Sequence, residues 1–403
     1  MSFISKIGLI LAIALFAPVA EAEIISYKEA GQIAISKNPE IKAYKAVWES
    51  AKTKIPQVLS LDDPKIGLEY EQIPSGSRNP EDGMKMLTFE QMIPFPSKVY
   101  VEWQIANKEA EAAYAQYKKR SNEIISQVKS AYLDIFYLDK SIIINSEIRK
   151  MIVNLKKSAE ARYSVGHATQ ADPIMAAAEY LLISNEIVNL QKEKEAAIEK
   201  INYLLVYSGT FETEAEISLP SVEGISKYEI RALNNRPEII EMRAMLEVGD
   251  LEHLKSKMGY LPDTDLGIKK RVAGGWDAMV TFSVPLYFWK QGSQVAGDGF
   301  GREAAELSFQ NMKNMTVFDV REAQIMAENA WRTMDLYKNS ILPLSEQSLK
   351  VGMAAYQSGK IDFLTIFQIQ KSYKEAKLKY YESAANYGKA LAELEKIIGS
   401  DII

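Results

Sequence analysis

The sequence predicts a mainly α-helical, elongated fold with a small β part: long antiparallel coiled-coil helical hairpins joined to four strands. Three observations predict it. A helical pattern runs from about Val99 to Arg162 without a single proline or glycine. Apolar residues in that stretch and in two later ones alternate at spacings of four and three. The same succession of segments occurs twice, offset by a nearly constant 193 to 198 residues.

Composition sets the outer limits. Of the 403 residues, 47% are hydrophobic and 25% charged, which excludes a disordered chain and a polytopic helical membrane protein. A net charge of −5 argues against a general nucleic-acid binder. The absence of cysteine excludes disulfides, thiol catalysis, cysteine-ligated zinc and a lipidated N-terminal cysteine.

Taken in order, residues 1–22 read as a signal peptide. Lys6 precedes an apolar run from Ile7 to Val19, and Ala20-Glu21-Ala22 supplies the small-residue cleavage pattern. No other segment offers ~18 consecutive apolar residues. An exported chain of this kind crosses a bilayer only as β-strands.

The remainder divides into a first repeat, 23–230, and a second, 231–403. "SKNPEIKA" at Ser36–Ala43 returns as "NNRPEIIE" at Asn234–Glu241, and Pro64 returns as Pro262. Tyr163 and Gly166 return as Tyr356 and Gly359. Fixed-period self-similarity of this kind marks duplicated structural units. Each repeat reads as helix, strand pair, very long helix, glycine turn and return helix.

Strands are expected at about 64–72, 84–93, 262–272 and 276–286, because period-two alternation replaces the helical period there. Ile66, Leu68 and Tyr70 share one face; so do Leu87, Phe89 and Ile93. Leu266, Ile268 and Val272 form a third apolar row, which Lys270 interrupts. Gly274-Gly275 signals a hairpin turn before Trp276, Ala278, Val280, Phe282 and Val284. One apolar and one polar face suit a half-buried soluble sheet, and equally a strand between lipid and a wet lumen.

The helices are too long for a compact domain. Sixty-odd residues span roughly 90–100 Å. Ile124, Val128, Ala131, Ile135, Leu138 and Ile142 form the seam of the outgoing helix. Ile183, Ile187, Leu190, Ala197, Ile201 and Leu204 form that of the return helix, with Lys194 intruding. Ala384, Tyr387, Leu391, Leu394 and Ile398 repeat the pattern in the last helix. Such 4-3 spacing is the coiled-coil seam. Pro343 is expected to kink or interrupt the second long helix. The hairpin tips fall at 163–172 and 356–365, where Gly166 and Gly359 end helices and Asp172 and Asp362 sit near the start of the return helices.

Four strands cannot close a membrane barrel, and an open sheet in lipid leaves unsatisfied edges. Several chains sharing one barrel is the favoured solution: two would give eight strands, three would give twelve. The order of parts resembles the TolC-like outer-membrane efflux proteins. The carriers are "NPEI" (Asn38–Ile41), "RPEI" (Arg236–Ile239), "YLP" (Tyr260–Pro262), "FSVPL" (Phe282–Leu286), "ILPLSEQSL" (Ile341–Leu349), "ARYSVGHATQAD" (Ala161–Asp172) and "AAYQSGKIDFLTIFQIQKSY" (Ala354–Tyr373).

The resemblance implies a homotrimer with a twelve-stranded transmembrane β-barrel in outer-membrane lipid and a periplasmic α-barrel. It also implies an equatorial belt that uses segments such as Val206–Ser226 and the C-terminal residues. The implied function is an exit duct that passes substrate from an inner-membrane pump and a periplasmic adaptor (membrane fusion) protein to the exterior. Two site expectations come with it. Asp172 and Asp362 fall near the positions of a pore constriction, although Thr365 and Gln368 stand where the family often places acids, and Asp362 reads equally well as a helix cap. Tyr163, Val165, Gly166, Tyr356, Ser358 and Gly359 match the tip pattern and are the expected adaptor contacts, with turn formation as the alternative role.

No catalytic set stands out, and no cofactor or metal is expected. The two histidines, His167 and His253, have no metal-ligand spacing. "GDGFGRE" (Gly297–Glu303) is spaced G-x-G-x-G, not as a nucleotide fingerprint, and reads as a flexible strand-to-helix exit. Met84, Met86 and Met92 read as packing. The competing functional class is a soluble periplasmic coiled-coil adaptor or scaffold. A type I protein-secretion exit duct is a variant of the favoured one.

Overall fold

A computed structural model describes residues 23–24, 26–207, 211–221 and 224–402. The expected leader, 1–22, lies outside the described residues. The chain begins with a two-residue strand, β1 (Glu23–Ile24), followed by helices α1 (Tyr27–Lys37) and α2 (Pro39–Gln57). Ser26 and Glu29 form a reciprocal capping box at the start of α1. Asn38 starts α2: its Oδ1 accepts from the Glu40 and Ile41 amides, and Pro39 occupies the first helical position, where no amide is needed.

Two hairpins build one sheet. Strands β2 (Lys65–Glu71) and β3 (Met84–Ile93) form the first. Strands β5 (Asp263–Arg271) and β6 (Trp276–Ser283) form the second. The order is β2-β3-β5-β6, antiparallel throughout, so β2 and β6 are open edges. Gly274 and Gly275 at φ +107° and +88° make the second turn, as the glycine pair predicts.

From the other end of β3 the chain enters α3 (Pro96–Ser164), a single helix of 69 residues, about 100 Å long. It returns through α4 (Ala171–Leu205). The second half repeats the plan with α5 (Ile225–Asn235), α6 (Pro237–Met258), α7 (Phe288–Leu336), α8 (Leu342–Gln357) and α9 (Phe363–Ile398). The 4-3 seams are the core. Ile124, Val128, Ala131, Ile135 and Leu138 of α3 are buried, with Ile183, Ile187, Ile201 and Leu204 of α4 and Tyr387, Leu391, Leu394 and Ile398 of α9. The intruding Lys194 is neutralised by Asp139 of α3, 2.6 Å away.

A small segment packs against the long helices. β4 (Phe211–Glu212) pairs in parallel with β1. Beyond it the Glu214 amide donates to the Tyr132 hydroxyl, Lys140 donates to the Ala215 carbonyl, and Tyr387 donates to the Pro220 carbonyl. The chain end is held by Arg231, which donates to Ser400 Oγ at 2.9 Å and to the Asp401 carbonyl at 3.0 Å.

One local expectation takes a specific form and another changes. The interruption expected at Pro343 takes the form of a π-helical turn, Tyr337–Ile341, which precedes it and separates α7 from α8. Proline lacks an amide and crowds the carbonyl four residues back, and the wider turn accommodates both. "GDGFGRE" is not a flexible exit. It lies inside α7, where a Cβ on Gly299 would make an ordinary 3.4 Å contact with His253 of α6 and Cβ atoms on Gly297 and Gly301 would meet nothing within 4 Å.

Candidate functional site

Three features of the surface have functional geometry: the sheet, the open edges and the hairpin tips. In the sheet, register places Ile66 opposite Phe89, Leu68 opposite Leu87, Phe89 opposite Ile268, and Leu266 opposite Val280. These residues share one face, and all of them are exposed, although apolar side chains of this size normally seek cover. The other face is polar and internally paired. Lys269 reaches Glu69 at 2.6 Å and Glu71 at 3.3 Å, and Arg271 reaches Asp277 at 2.7 Å. Met86 is buried on that side, which bears out packing as its role. Alternation continues past β6 through Val284 and Leu286, both exposed, to the exposed Tyr287, Phe288 and Trp289.

The helical part has apolar edges as well. Leu181, Leu182 and Val188 are exposed on α4; Phe318 and Ile325 on α7, and Leu344 and Val351 on α8, are exposed on the other hairpin.

Both tips are built on the same backbone device. At the first, Gly166 takes φ +79°, its amide donates to the Tyr163 carbonyl, and the His167 amide donates to the Arg162 carbonyl. At the second, Gly359 takes φ +75°, its amide donates to the Tyr356 carbonyl, and the Lys360 amide donates to the Ala355 carbonyl. This is the Schellman ending, which needs a residue tolerant of the left-handed region. Ser358, on the second turn, donates to the Ala355 carbonyl.

The acids differ. Asp362 is the N-cap of α9: it is exposed, and its carboxylate accepts from the Thr365 amide at 2.9 Å. The Thr365 side chain, and after it the Thr365 amide, hold its pKa below the ordinary carboxylate value. Asp172 lies within the first turn of α4 and accepts from Thr169 Oγ1 at 2.7 Å.

The tyrosines differ more. Tyr163 is 46% exposed, beside the exposed Val165, whereas Tyr356 is 2% exposed. Arg162 covers Tyr356: its guanidinium lies 4.9 Å from the ring centre, and Nη1 donates to the Tyr356 carbonyl at 2.6 Å. Phe363 meets the same ring edge-on. Burial raises the Tyr356 phenol above its ordinary pKa. Arg162 thus ties the two hairpin tips together across 194 residues of sequence. Sequence reasoning did not single it out. Its one local signal is its place four residues before the turn glycine.

Among the described residues no cluster of three or more His, Cys, Asp or Glu side chains could hold a metal ion. No described helix is long and apolar enough to cross a membrane.

Comparison with known proteins places the fold. The chain matches the solved outer-membrane channel OprN at 14% identity over 93% of this chain and 90% of that one, with a TM-score of 0.76. The Campylobacter jejuni outer-membrane channel CmeC matches at 14% identity over 93% and 85%, TM-score 0.74. The outer-membrane protein VceC of Vibrio cholerae matches at 15% identity over 94% and 97%, TM-score 0.76. No family model and no curated protein sequence matches the chain. At these identities the likeness is one of fold, and the fold is the one the sequence resemblance implies.

Proposed function

We propose that this chain is one protomer of an outer-membrane exit duct. Three copies would share a twelve-stranded barrel in the membrane and a helical barrel in the periplasm. The duct would receive substrate from an inner-membrane pump through a periplasmic adaptor protein. The observation that carries this reading is the sheet: its apolar face is bare, its polar face is internally paired, and both its edges are open. A bare apolar face finds its solvent in lipid, and open edges cannot persist there.

Closure follows from the strand order. β2 and β6 run antiparallel to each other, because three antiparallel steps separate them. The β6 edge of one copy therefore meets the β2 edge of the next antiparallel, and a ring of copies alternates without a break. The exposed rows on α4 and on α7–α8 lie on different hairpins, as a heterologous ring interface requires. Eight strands would leave an interior that side chains fill; twelve leave a passage. The two halves act as tandem copies of one unit, each supplying two strands and one hairpin, and the second opens with α5.

The tips are the proposed periplasmic end. Tyr163, Val165 and Ser358 are the side chains offered to an adaptor, Gly166 and Gly359 set the turns that present them, and Tyr356 supports the second tip from beneath. Asp172 and Asp362 are the proposed constriction. The test is reconstitution. Purified protein is expected to need detergent, to cross-link as a trimer and to conduct ions in planar bilayers. A monodisperse monomer that stays in aqueous buffer and never conducts would sink the proposal.

A further inference from the structure

The bare face of the sheet carries two charged side chains, and both are lysines: Lys85 on β3 and Lys270 on β5. Lys270 is the residue that breaks an otherwise apolar row. Each lysine is the cross-strand partner of an aromatic residue, Tyr70 opposite Lys85 and Trp276 opposite Lys270. The two lysines are diagonal neighbours on adjacent strands, because Leu87 lies opposite Lys270 and the Val272 amide donates to the Lys85 carbonyl. Lys85 Nζ stands 5.8 Å from the centre of the Tyr70 ring.

Every aspartate and glutamate of the four strands projects from the opposite face, where Lys269 and Arg271 find their partners. Neither Lys85 nor Lys270 forms an ion pair among the described residues. Both sit at the turn end of the sheet, remote from the helices, and below them the face is uncharged.

This arrangement has a physical reading once the face meets lipid. An ammonium is strongly disfavoured at hydrocarbon depth. Near the boundary the lysine stem can lie along apolar surface while its head reaches the interface, where aromatic rings also sit. An ammonium there without a carboxylate of its own attracts an external anion, and two together suit a phosphate. The apolar floor beneath gives the acyl chains of the same molecule a surface to lie on.

We propose that Lys85 and Lys270, between Tyr70 and Trp276, hold the phosphate of an anionic lipid headgroup in the leaflet at the turn end of the barrel, one such site per protomer. The site rests on the outer-membrane reading above and adds to it a lipid partner and its recognition chemistry.

The test uses full-length protein in neutral detergent. Phosphatidylglycerol or phosphatidylcholine is added, and retained lipid is counted by native mass spectrometry. The wild type is expected to keep phosphatidylglycerol preferentially. The double variant K85Q/K270Q is expected to lower that preference roughly twenty-five-fold, since each lysine near an anionic surface is worth about a fivefold change in binding, and K85R/K270R is expected to restore it. Equal preference in the wild type and the glutamine variant would overturn the site. So would displacement of the lipid by millimolar inorganic phosphate, which would make it a site for the free anion. Insertion into neutral planar bilayers separates the two failures. A wild type that conducts but shows no headgroup preference loses only the lysine site, whereas one that never inserts loses the membrane reading and the site with it.

Discussion

The two hairpin tips share one backbone and have opposite side chains. Both end in a Schellman turn on a glycine near φ +75°, preceded three residues earlier by a tyrosine. At the first tip that tyrosine stands in solvent; at the second it lies beneath Arg162 and beside Phe363. The proposed duplication would account for the common frame. The difference teaches that one frame carries two surfaces: the first tip displays an aromatic side chain, and at the second Arg162 ties the pair together. The anchor is a contact between tips, so neither tip alone would reveal it.

The largest expected effect tests that difference. Tyr356→Ala removes a buried ring and is expected to cost about 3–5 kcal/mol of local stability. Tyr163→Ala is expected to stay within about 0.5 kcal/mol, as exposed substitutions do. Hydrogen exchange of the tip amides measures both, because it reports local opening separately from the rest of the molecule. Equal losses would erase the distinction. Adaptor binding should show the reverse order: Tyr163→Ala weakens capture of a periplasmic adaptor by a tip that remains folded.

A middle-sized effect tests the shared frame. Alanine at either glycine must adopt the left-handed region, at about 1–2 kcal/mol. A Cβ at Gly166 would meet nothing within 4 Å, and one at Gly359 would meet only the Arg162 guanidinium at an ordinary 3.6 Å. Gly166→Ala and Gly359→Ala should therefore destabilise their tips by nearly the same amount in the same exchange experiment. A large asymmetry would mean that the two turns are not the same device.

What the sequence made legible, and what it did not, follows the same line. Gly166 and Gly359 were readable because a backbone requirement is local. The seams were readable because burial along a helix imposes a period, as Ile124 to Leu138 shows. The strands were readable from alternation, and Lys270 declared itself as a fault in that alternation. The fate of Tyr356 was not readable, since it depends on Arg162 in the other hairpin. The glycines at 297, 299 and 301 misled in another way. Locally they suggest a loop, yet all three lie within α7, and at 297 and 301 no neighbour stands where a Cβ would be. Pro343 announced a disturbance, but whether a helix breaks or widens at a proline depends on the packing around it.

The smallest effect concerns the acids, and it decides whether the second tip is also a gate. The Thr365 side chain and amide lower the pKa of the Asp362 carboxylate below the unfolded value of about 3.9. A depressed carboxyl contributes stability that is present above the unfolded pKa and lost as pH falls through the folded one, so the cap of α9 should weaken only below about pH 4. Asparagine caps nearly as well as aspartate, and Asp362→Asn should keep the tip folded while abolishing that acid sensitivity. A constriction acts with the opposite sign. If copies of Asp362 converge on the pore, mutual repulsion raises their pKa relative to the isolated protomer and attracts cations into the opening. Carboxyl titration of Asp362 in the assembled duct, compared with the detergent-dissociated protomer, separates the roles. An upward shift on assembly, with cation block of single-channel current altered in Asp362→Ala, is the expected outcome for a gate. Identical titration in both states, with block unchanged, leaves Asp362 as a helix cap and moves the constriction to other residues.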